Sequence, residues 1–550
     1  MGKILTIIGL IALAVIVLTG CIPAEAATPT PRPAPDLLRE RGKFFSAAGE
    51  CAVCHSRLVN ESGEDISMDA GWRGSMMANS ARDPYFLAGV RNEVETFPQY
   101  QAEIEAKCSL CHYPMAHITA ESEGMETAIF GNGWTNPDNQ LHSLGMDGVS
   151  CALCHQVQPD GFGQPESFTG HFAIDLETLP GQRQMYGPFD VQKKMEMVMQ
   201  NASGFGLEQA DHLGKSEMCA TCHTLYTPYV TVDGELSSTL FPEQVPYLEW
   251  LNSSFAEDGV PCQECHMPRV SGQVLIASVG GQPRESIAEH FVRGSNYYMT
   301  RMLEENAQEV GATAGDEHFW STEENTLAMM EQRTATLNVE AEQSGGQLAL
   351  DVLVESSTGH KLPTSYPSRR VWLHVTVADR SGAVLFESGG WESNGLIREN
   401  DNDEDGRSFE PHYTVINDES QVQIYELIFL NDAGEVSTSV LSAAQQVKDN
   451  RILPPGFDIK AADEDIAIYG AALDDADFTA GQDAVVYEID LGEVKGKLTV
   501  TVELLYQSIA YRWAENLRAG EGEEISTFMG YYDALANEPV LIARREVVVK

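Results

Sequence analysis

Two textures divide the chain. Up to about residue 330, apolar positions come in short, irregular groups broken by Gly, Pro and polar residues, and helical spacing is readable only over Asp83–Cys108, Val191–Met199 and Tyr297–Val310. From about Thr334 the spacing shortens to two. Alternating runs appear at Ala335–Ala341, Gln347–Val354, Val371–Val377, Ala383–Glu387, Val422–Leu430, Ala484–Ile489, Leu498–Leu505 and Val540–Val549. Eight such runs with polar turns between them predict an antiparallel β-sandwich. The expected fold class is therefore α+β multidomain: a mostly helical and loop region over 37–330, followed by a β-rich, sandwich-like region over 331–550.

The first residues follow another logic. Met1-Gly2-Lys3 precedes an apolar stretch from Ile4 to Leu18 and then Thr19-Gly20-Cys21. A basic start, an apolar run and small residues predict a secretory signal peptide over 1–20. Leu18-Thr19-Gly20-Cys21 resembles the bacterial lipobox, which makes Cys21 the expected lipidation site and first mature residue. The competing reading is an uncleaved transmembrane anchor, since Ile4–Gly20 lies at the short edge of spanning length. Residues 21–36 are rich in Pro and Ala, with Pro29, Pro31, Pro33 and Pro35 alternating. They predict an extended tether that lifts a folded body off a membrane.

Composition narrows the partners. The 550 residues are 43% hydrophobic, enough for a sizeable core, and carry 82 acidic against 35 basic side chains for a formal charge of −47. That balance argues against nucleic acid, which requires a basic face. Eleven cysteines in this length are too sparse for a disulfide scaffold, so their placement matters more than their number.

Ten of the eleven form five copies of one pattern: Cys51-Ala-Val-Cys54-His55, Cys108-Ser-Leu-Cys111-His112, Cys151-Ala-Leu-Cys154-His155, Cys219-Ala-Thr-Cys222-His223 and Cys262-Gln-Glu-Cys265-His266. C-x-x-C-H is the attachment signature of haem c. Two thiols three positions apart reach the two vinyl groups of one porphyrin as thioethers, and the adjacent imidazole binds the iron from the proximal side. Zinc ribbons close tetrahedrally from paired units, and an odd number of units each ending in His fits that poorly. Disulfide redox motifs do not require the His, and iron–sulfur clusters use other spacings. The expected cofactor set is five covalently bound haem c, with His55, His112, His155, His223 and His266 as proximal ligands. None of the motifs ends in Lys, which lowers a nitrite-reductase-like reading.

Nine histidines lie outside the motifs, and bis-His ligation of five haems needs five of them. His212 stands seven residues before Cys219 and His142 nine before Cys151. His290 precedes the helical run from Tyr297, and His360 lies in the turn Thr358-Gly-His-Lys-Leu-Pro363 between two strand runs. These four are distal candidates. His117 and His171 compete for the fifth place. His374 alternates with Trp372 on one face of a strand and reads as structural, as do His318 and His412. Methionine, with 18 residues, is the other side chain able to replace one His on an iron.

The segments Trp72-Arg-Gly-Ser-Met-Met-Ala-Asn-Ser-Ala-Arg-Asp-Pro84, Met146-Asp-Gly-Val-Ser-Cys151, Cys265-His266-Met267-Pro268, Thr358-Gly-His-Lys-Leu-Pro363 and Tyr366-Pro-Ser-Arg-Arg370 resemble a family of multihaem c-type cytochromes. The family belongs to the wider group of octahaem hydroxylamine oxidoreductase and its tetrahaem electron acceptor, and the resemblance spans most of 45–460. It implies bis-His haems and electron transport, and it supports His142, His212, His290 and His360 as distal ligands.

One further pattern is Asp401-Asn-Asp-Glu-Asp-Gly406, which starts like a calcium loop but has His412 where position twelve calls for Glu. Calcium and an acidic surface turn are the two readings. Taken together, the sequence predicts an anchored, extracytoplasmic electron carrier on the periplasmic face or outer surface of a bacterial membrane. Its closely packed haems would serve redox partner proteins such as basic cytochromes or a membrane quinol-oxidising complex. The rival is a multihaem oxidoreductase with one open iron for a nitrogen or sulfur compound, and a filament subunit is a third reading. The anchor is directly testable: Cys21→Ser is expected to release the protein into the soluble extracytoplasmic fraction, and membrane retention with an uncleaved N-terminus would establish the transmembrane anchor instead.

Overall fold

A computed structural model describes residues 30–494 and 496–550; the signal segment and Cys21 lie outside the described residues. Among the described residues, no helix is long and apolar enough to cross a membrane. The protein combines helices with largely antiparallel sheets, an α+β fold.

The period-two runs become strands. In Gln347–Ser356 the even-numbered side chains Leu348, Leu350, Val352 and Val354 are fully buried while their neighbours face out. This strand pairs with Ala335–Ser344 through the two-residue turn Gly345-Gly346, where both glycines have positive φ (59° and 89°), as a tight hairpin turn requires. On its other side it pairs with Gln482–Asp490, which also takes a short parallel partner, Val415–Ile416. A second sheet runs Val384–Ser388, Arg370–Ala378, Leu498–Gln507, Val540–Val549, with Ile424–Tyr425 added beside Arg370–Ala378. Val371, Leu373, Val375 and Val377 of this sheet join Leu348, Leu350, Val485 and Tyr487 of the first in one large apolar cluster. The run Val422–Leu430 divides into Ile424–Tyr425 and Leu427–Leu430, because the second half leaves to pair with Gln445–Asp449.

Among the described residues up to about 300, no core of that size forms. Their buried apolar side chains fall into small groups, several of them beside an attachment motif. Phe44, Phe45, Val149, Ala152 and Leu153 cluster at the third motif, and Phe168, Ala220 and Tyr247 at the fourth. The helix expected over Asp83–Cys108 is two. Asp83 accepts from the amides of Tyr85 (2.9 Å) and Phe86 (3.3 Å) and starts Pro84–Thr96; Pro98 then ends it, and a 3₁₀ turn leads into Gln101–His112. The other two expected helices form as Lys193–Ser203 and Tyr297–Glu305. Three helices, Asp316–Arg333, Tyr511–Leu517 and Glu523–Ala534, were not legible in the spacing.

The two carboxy-terminal helices do not stay with the strands around them. Trp513, Phe528, Met529 and Tyr532 pack with Ala88 of Pro84–Thr96 and with Tyr298, Met299 and Met302. Arg91 lies 2.7 Å from Glu524 and stacks its guanidinium over Phe130. Glu93 accepts from Ser439 Oγ at 2.7 Å and from the Val440 amide at 3.0 Å. Residues before 100 and after 430 thus share one packed and hydrogen-bonded interface.

The 401–406 loop does not gather its carboxylates as a calcium loop does. Asp403 accepts two 2.9 Å bonds from the buried Arg370 guanidinium and one from the Ile397 amide, and Asp405 is taken up by Arg407. Asp401–Glu404 is one helical turn, with Asp403 and Asp405 already paired to arginines, which fits the acidic-turn reading of this segment. His412 points instead to Asp475 (3.0 Å) and Asp483 (3.7 Å). Two amide groups, Gln423 Nε2 and Asn450 Nδ2, donate to His412 Nδ1 at 2.9 and 3.1 Å, which leaves the ring proton on Nε2 for Asp475.

Asp483 is buried, so its charged form loses hydration, and its carboxyl is pushed up to about 7 from 3.8 despite the bonds from Tyr425 and Gln423. A raised acid favours the fold below its unfolded value and loses that contribution as pH rises through 7. The denaturation midpoint is therefore expected to fall between pH 4 and pH 8, and Asp483→Asn to flatten that fall. An unchanged slope in the variant would rule the assignment out.

Candidate functional site

Each attachment motif lies on a helix: Ala48–His55, Gln101–His112, Cys151–Cys154 with His155 as its cap, Ser216–His223 and Cys262–His266. Helical geometry explains the spacing. Positions i and i+3 share a face one turn apart, so both sulfurs point to one side and the following His continues the same edge. All ten cysteines are partly buried, and none is joined to another as a disulfide. The motifs also approach one another. Hydrogen bonding to Cys151, then burial, pushes the Cys51 thiol up; Cys111 is raised in the same way by Cys222, and Cys219 by Cys262. The first motif therefore meets the third, and the fourth meets both the second and the fifth.

The imidazoles are oriented by backbone carbonyls. Nδ1 of His55 bonds Ile276 O at 2.6 Å, that of His112 bonds Ser80 O at 3.0 Å, that of His155 bonds Tyr186 O at 2.7 Å and that of His266 bonds Arg293 O at 2.5 Å. For His223 no such acceptor is present among the described residues. A ring that donates from Nδ1 keeps its lone pair on Nε2, the nitrogen that faces a metal. Burial lowers all five proximal rings from 6.5, with His112 and His266 pushed down to about 4, so they are neutral and able to ligate.

The same test applied to the other histidines separates them. His117 Nδ1 bonds Ser109 Oγ (2.8 Å), His142 bonds Trp134 O (2.7 Å), His171 bonds Phe168 O (2.9 Å), His290 bonds Ala288 O (3.0 Å) and His360 bonds Lys361 O (2.9 Å). In each, Nε2 has no hydrogen-bond partner among the described residues. His212 is reversed: its Nε2 bonds Val157 O at 2.8 Å, between the rings of Tyr186 and Phe162, and only Nδ1 is open. His374 places its nitrogens on Glu503 and Glu387, and His318 accepts at Nδ1 from the Gly315 amide at the start of its own helix.

One pair can be matched in space. The rings of His266 and His360 are 6.3 Å apart, centre to centre, and only 22° from parallel. Two metal–imidazole bonds of about 2 Å, plus about 1 Å from each nitrogen to its ring centre, require about 6 Å. The residues thus fit one iron between them. Near the second and fourth motifs, the amides of Thr169 and Gly170 bond Thr224 O and Thr221 O, and a Cβ on Gly170 would stand 3.4 Å from Cys111 Sγ, so His171 leaves from between these motifs. His117 and His142 flank Trp134, whose ring is 6.2 Å from His117 and whose carbonyl holds His142. Beside the first motif a cleft is lined by Cys51, Cys54, His55, Met195, Met199 and Ile276.

The segment Trp72–Pro84 ties these motifs together. Trp72 Nε1 donates to Val149 O at 2.8 Å, the Val149 amide donates to Met77 O at 3.0 Å, and Ser80 Oγ donates to His112 O at 3.0 Å. Asp147 accepts from the Ala48 amide (2.9 Å) at the head of the first motif's helix. Gly148 has φ 63°, and a Cβ there would lie 2.8 Å from Ala78 O, so only Gly fits. The carbonyls of Ser80, Tyr186, Ile276 and Arg293 are functional groups without a side-chain signature, and nothing in the sequence marks them.

No family model matches the chain, and no curated protein matches it. Among solved structures, it is similar to the crystal structure of a penta-heme cytochrome c552 from Thermochromatium tepidum, with a TM-score of 0.50 and 16% identity over 91% of this chain and 98% of that one. At that identity the likeness is one of fold, and it extends along both regions of the chain.

Proposed function

We propose that the protein is an extracytoplasmic pentahaem c-type cytochrome, lipid-anchored through Cys21, that transfers electrons between redox partner proteins. The observation that carries this reading is the repeated unit of two thiols on one helical turn and a neutral imidazole with Nε2 open. Four of its five copies are oriented by a backbone carbonyl. Covalently bound haem c supplies a one-electron iron couple at each of the five motifs. Cys51, Cys54, Cys108, Cys111, Cys151, Cys154, Cys219, Cys222, Cys262 and Cys265 would hold it, and His55, His112, His155, His223 and His266 would ligate from the proximal side. On the distal side, His117, His142, His171, His290 and His360 offer Nε2 and His212 offers Nδ1, which is one nitrogen more than bis-His ligation of five irons needs.

The chain's part in the chemistry is to hold each ligand nitrogen at a fixed angle and to exclude water. Buried, carbonyl-tied rings resist rotation and protonation. That favours low-spin centres that change charge with little movement, as an electron carrier requires. The formal charge of −47 favours a basic partner, either a small cytochrome or a membrane quinol-oxidising complex with a basic face. With more distal candidates than irons, the carrier reading is preferred over a catalytic oxidoreductase with an open iron.

The pyridine haemochrome of matured protein is expected to give five haems per chain, and three or fewer would sink the count. His360→Ala is expected to convert one of the five irons to a high-spin form that binds carbon monoxide or azide, leaving the others low-spin. A mutant spectrum identical to wild type would remove His360 from the ligand set, and a high-spin haem already present in wild type would favour the oxidoreductase.

A further inference from the structure

His360 is carried by a turn whose anchorage is unusual for a loop. Behind it lie four charged side chains, Glu249, Lys361, Asp449 and Arg451, from three separate stretches of chain, each nearly or fully removed from water. Lys361 Nζ lies 2.6 Å from Asp449 Oδ2 and 3.0 Å from Ala467 O. Arg451 holds both oxygens of Asp449 at 2.8 and 2.9 Å and reaches Glu249 Oε1 at 2.9 Å. Two positive and two negative groups make a neutral set. Buried ions are tolerated only where each is paired in this way.

Glu249 links this set to the ligand. Its Oε2 accepts the Lys361 amide at 3.1 Å and is also bonded by Thr364 Oγ1, so one carboxylate spans the turn on both sides of Leu362-Pro363. The Lys361 peptide fixed by that bond is joined to His360 itself, because His360 Nδ1 bonds Lys361 O at 2.9 Å. Thr358 Oγ1 donates to His360 O at 2.7 Å, and Leu362 exchanges both backbone bonds with Ile452 at 2.9 Å. On the other flank Gly359 packs closely on Trp250 and Phe255: a Cβ would lie 3.3 Å from both rings. Glu249, Trp250 and Phe255 belong to the stretch just before the fifth motif. The stretch that leads into Cys262–His266 and the turn that carries His360 are therefore joined by Glu249.

We propose that Glu249 is a positioning residue for the fifth haem: it sets the height and rotation of the His360 imidazole over His266, with Arg451 and Asp449 holding the carboxylate and the lysine in place. This rests on the reading of His360 as a distal ligand, and it adds a requirement that reading does not contain. Two imidazoles 22° from parallel give an iron a rhombic low-spin magnetic resonance signal. Rotation of one ring toward the perpendicular moves that signal to a larger maximum g value, and loss of the ring makes the iron high-spin.

The test uses the matured, full-length haem protein, read by low-temperature magnetic resonance and by redox titration. Glu249→Ala removes the acceptor, and it should shift the low-spin signal of one haem or turn that haem high-spin. Glu249→Gln keeps an acceptor for the Lys361 amide and removes the charge. It should restore the wild-type signal while raising one midpoint potential, because an uncompensated positive charge favours the reduced iron. Should Glu249→Ala fail to mature, Thr364→Val loosens the same carboxylate and should change the same signal. The proposal is overturned if Glu249→Ala, or Thr364→Val in its place, leaves every signal unchanged while His360→Ala in the same background produces a high-spin haem. If His360→Ala itself changes nothing, it is the ligand reading that fails, and the positioning role falls with it.

Discussion

The orientation of a few imidazole rings is the constraint on which the rest of the structure depends. A histidine ring has two equivalent-looking nitrogens, and only a hydrogen bond to one of them decides which is left for a metal. Here that decision is made mostly by backbone carbonyls, at Ile276, Ser80, Tyr186 and Arg293 for the proximal rings and at Trp134, Phe168, Ala288 and Lys361 for four others. Carbonyls are positioned by secondary structure and turns, so the short helices and two-stranded ribbons of the first 300 residues are explained as scaffolding for them. The small scattered apolar clusters follow from the same cause. In the proposed pentahaem protein, five groups the size of a porphyrin would leave little room for a continuous side-chain core.

The strand region obeys the opposite rule. One large cluster joins the inner faces of two sheets, and its rigidity is used at the Thr358–Pro363 turn. A ligand offered from a loop on a rigid sheet is more constrained than one offered from a free loop. The buried quartet of Glu249, Lys361, Asp449 and Arg451 tightens it further. Its stabilising value is modest, since neutral packing of the same volume would do as well; its distinctive effect is geometric.

What was legible in the sequence follows from how local each signal is. The attachment motifs were fully legible because covalent chemistry fixes their spacing within five residues. Strands such as Gln347–Ser356 were legible because burial of one face imposes a period of two. The helix Asp316–Arg333 was hidden because its buried stripe is Phe319, Thr322, Thr326 and Met330, half of it polar. Tyr511–Leu517 and Glu523–Ala534 were hidden between two strands they do not resemble. The calcium-like loop misled because its carboxylates serve Arg370 and Arg407, partners that spacing does not reveal. His117 and His171 are not distinguished by their rings, since both leave Nε2 unbonded, while His212 bonds through Nε2 instead. Such distinctions depend on residues far apart in the chain.

The packing of the last helices against Pro84–Thr96 has a consequence for how the molecule is made. Synthesised from its amino terminus, the chain completes its five C-x-x-C-H motifs long before residue 360, and Glu523–Ala534 is its last helix to arrive. Every motif is therefore complete before the carboxy-terminal helices exist. Those helices arrive afterwards and clasp Pro84–Thr96, a helix made more than four hundred residues earlier. The order of the sequence is also an order of assembly, with chemistry first and enclosure afterwards.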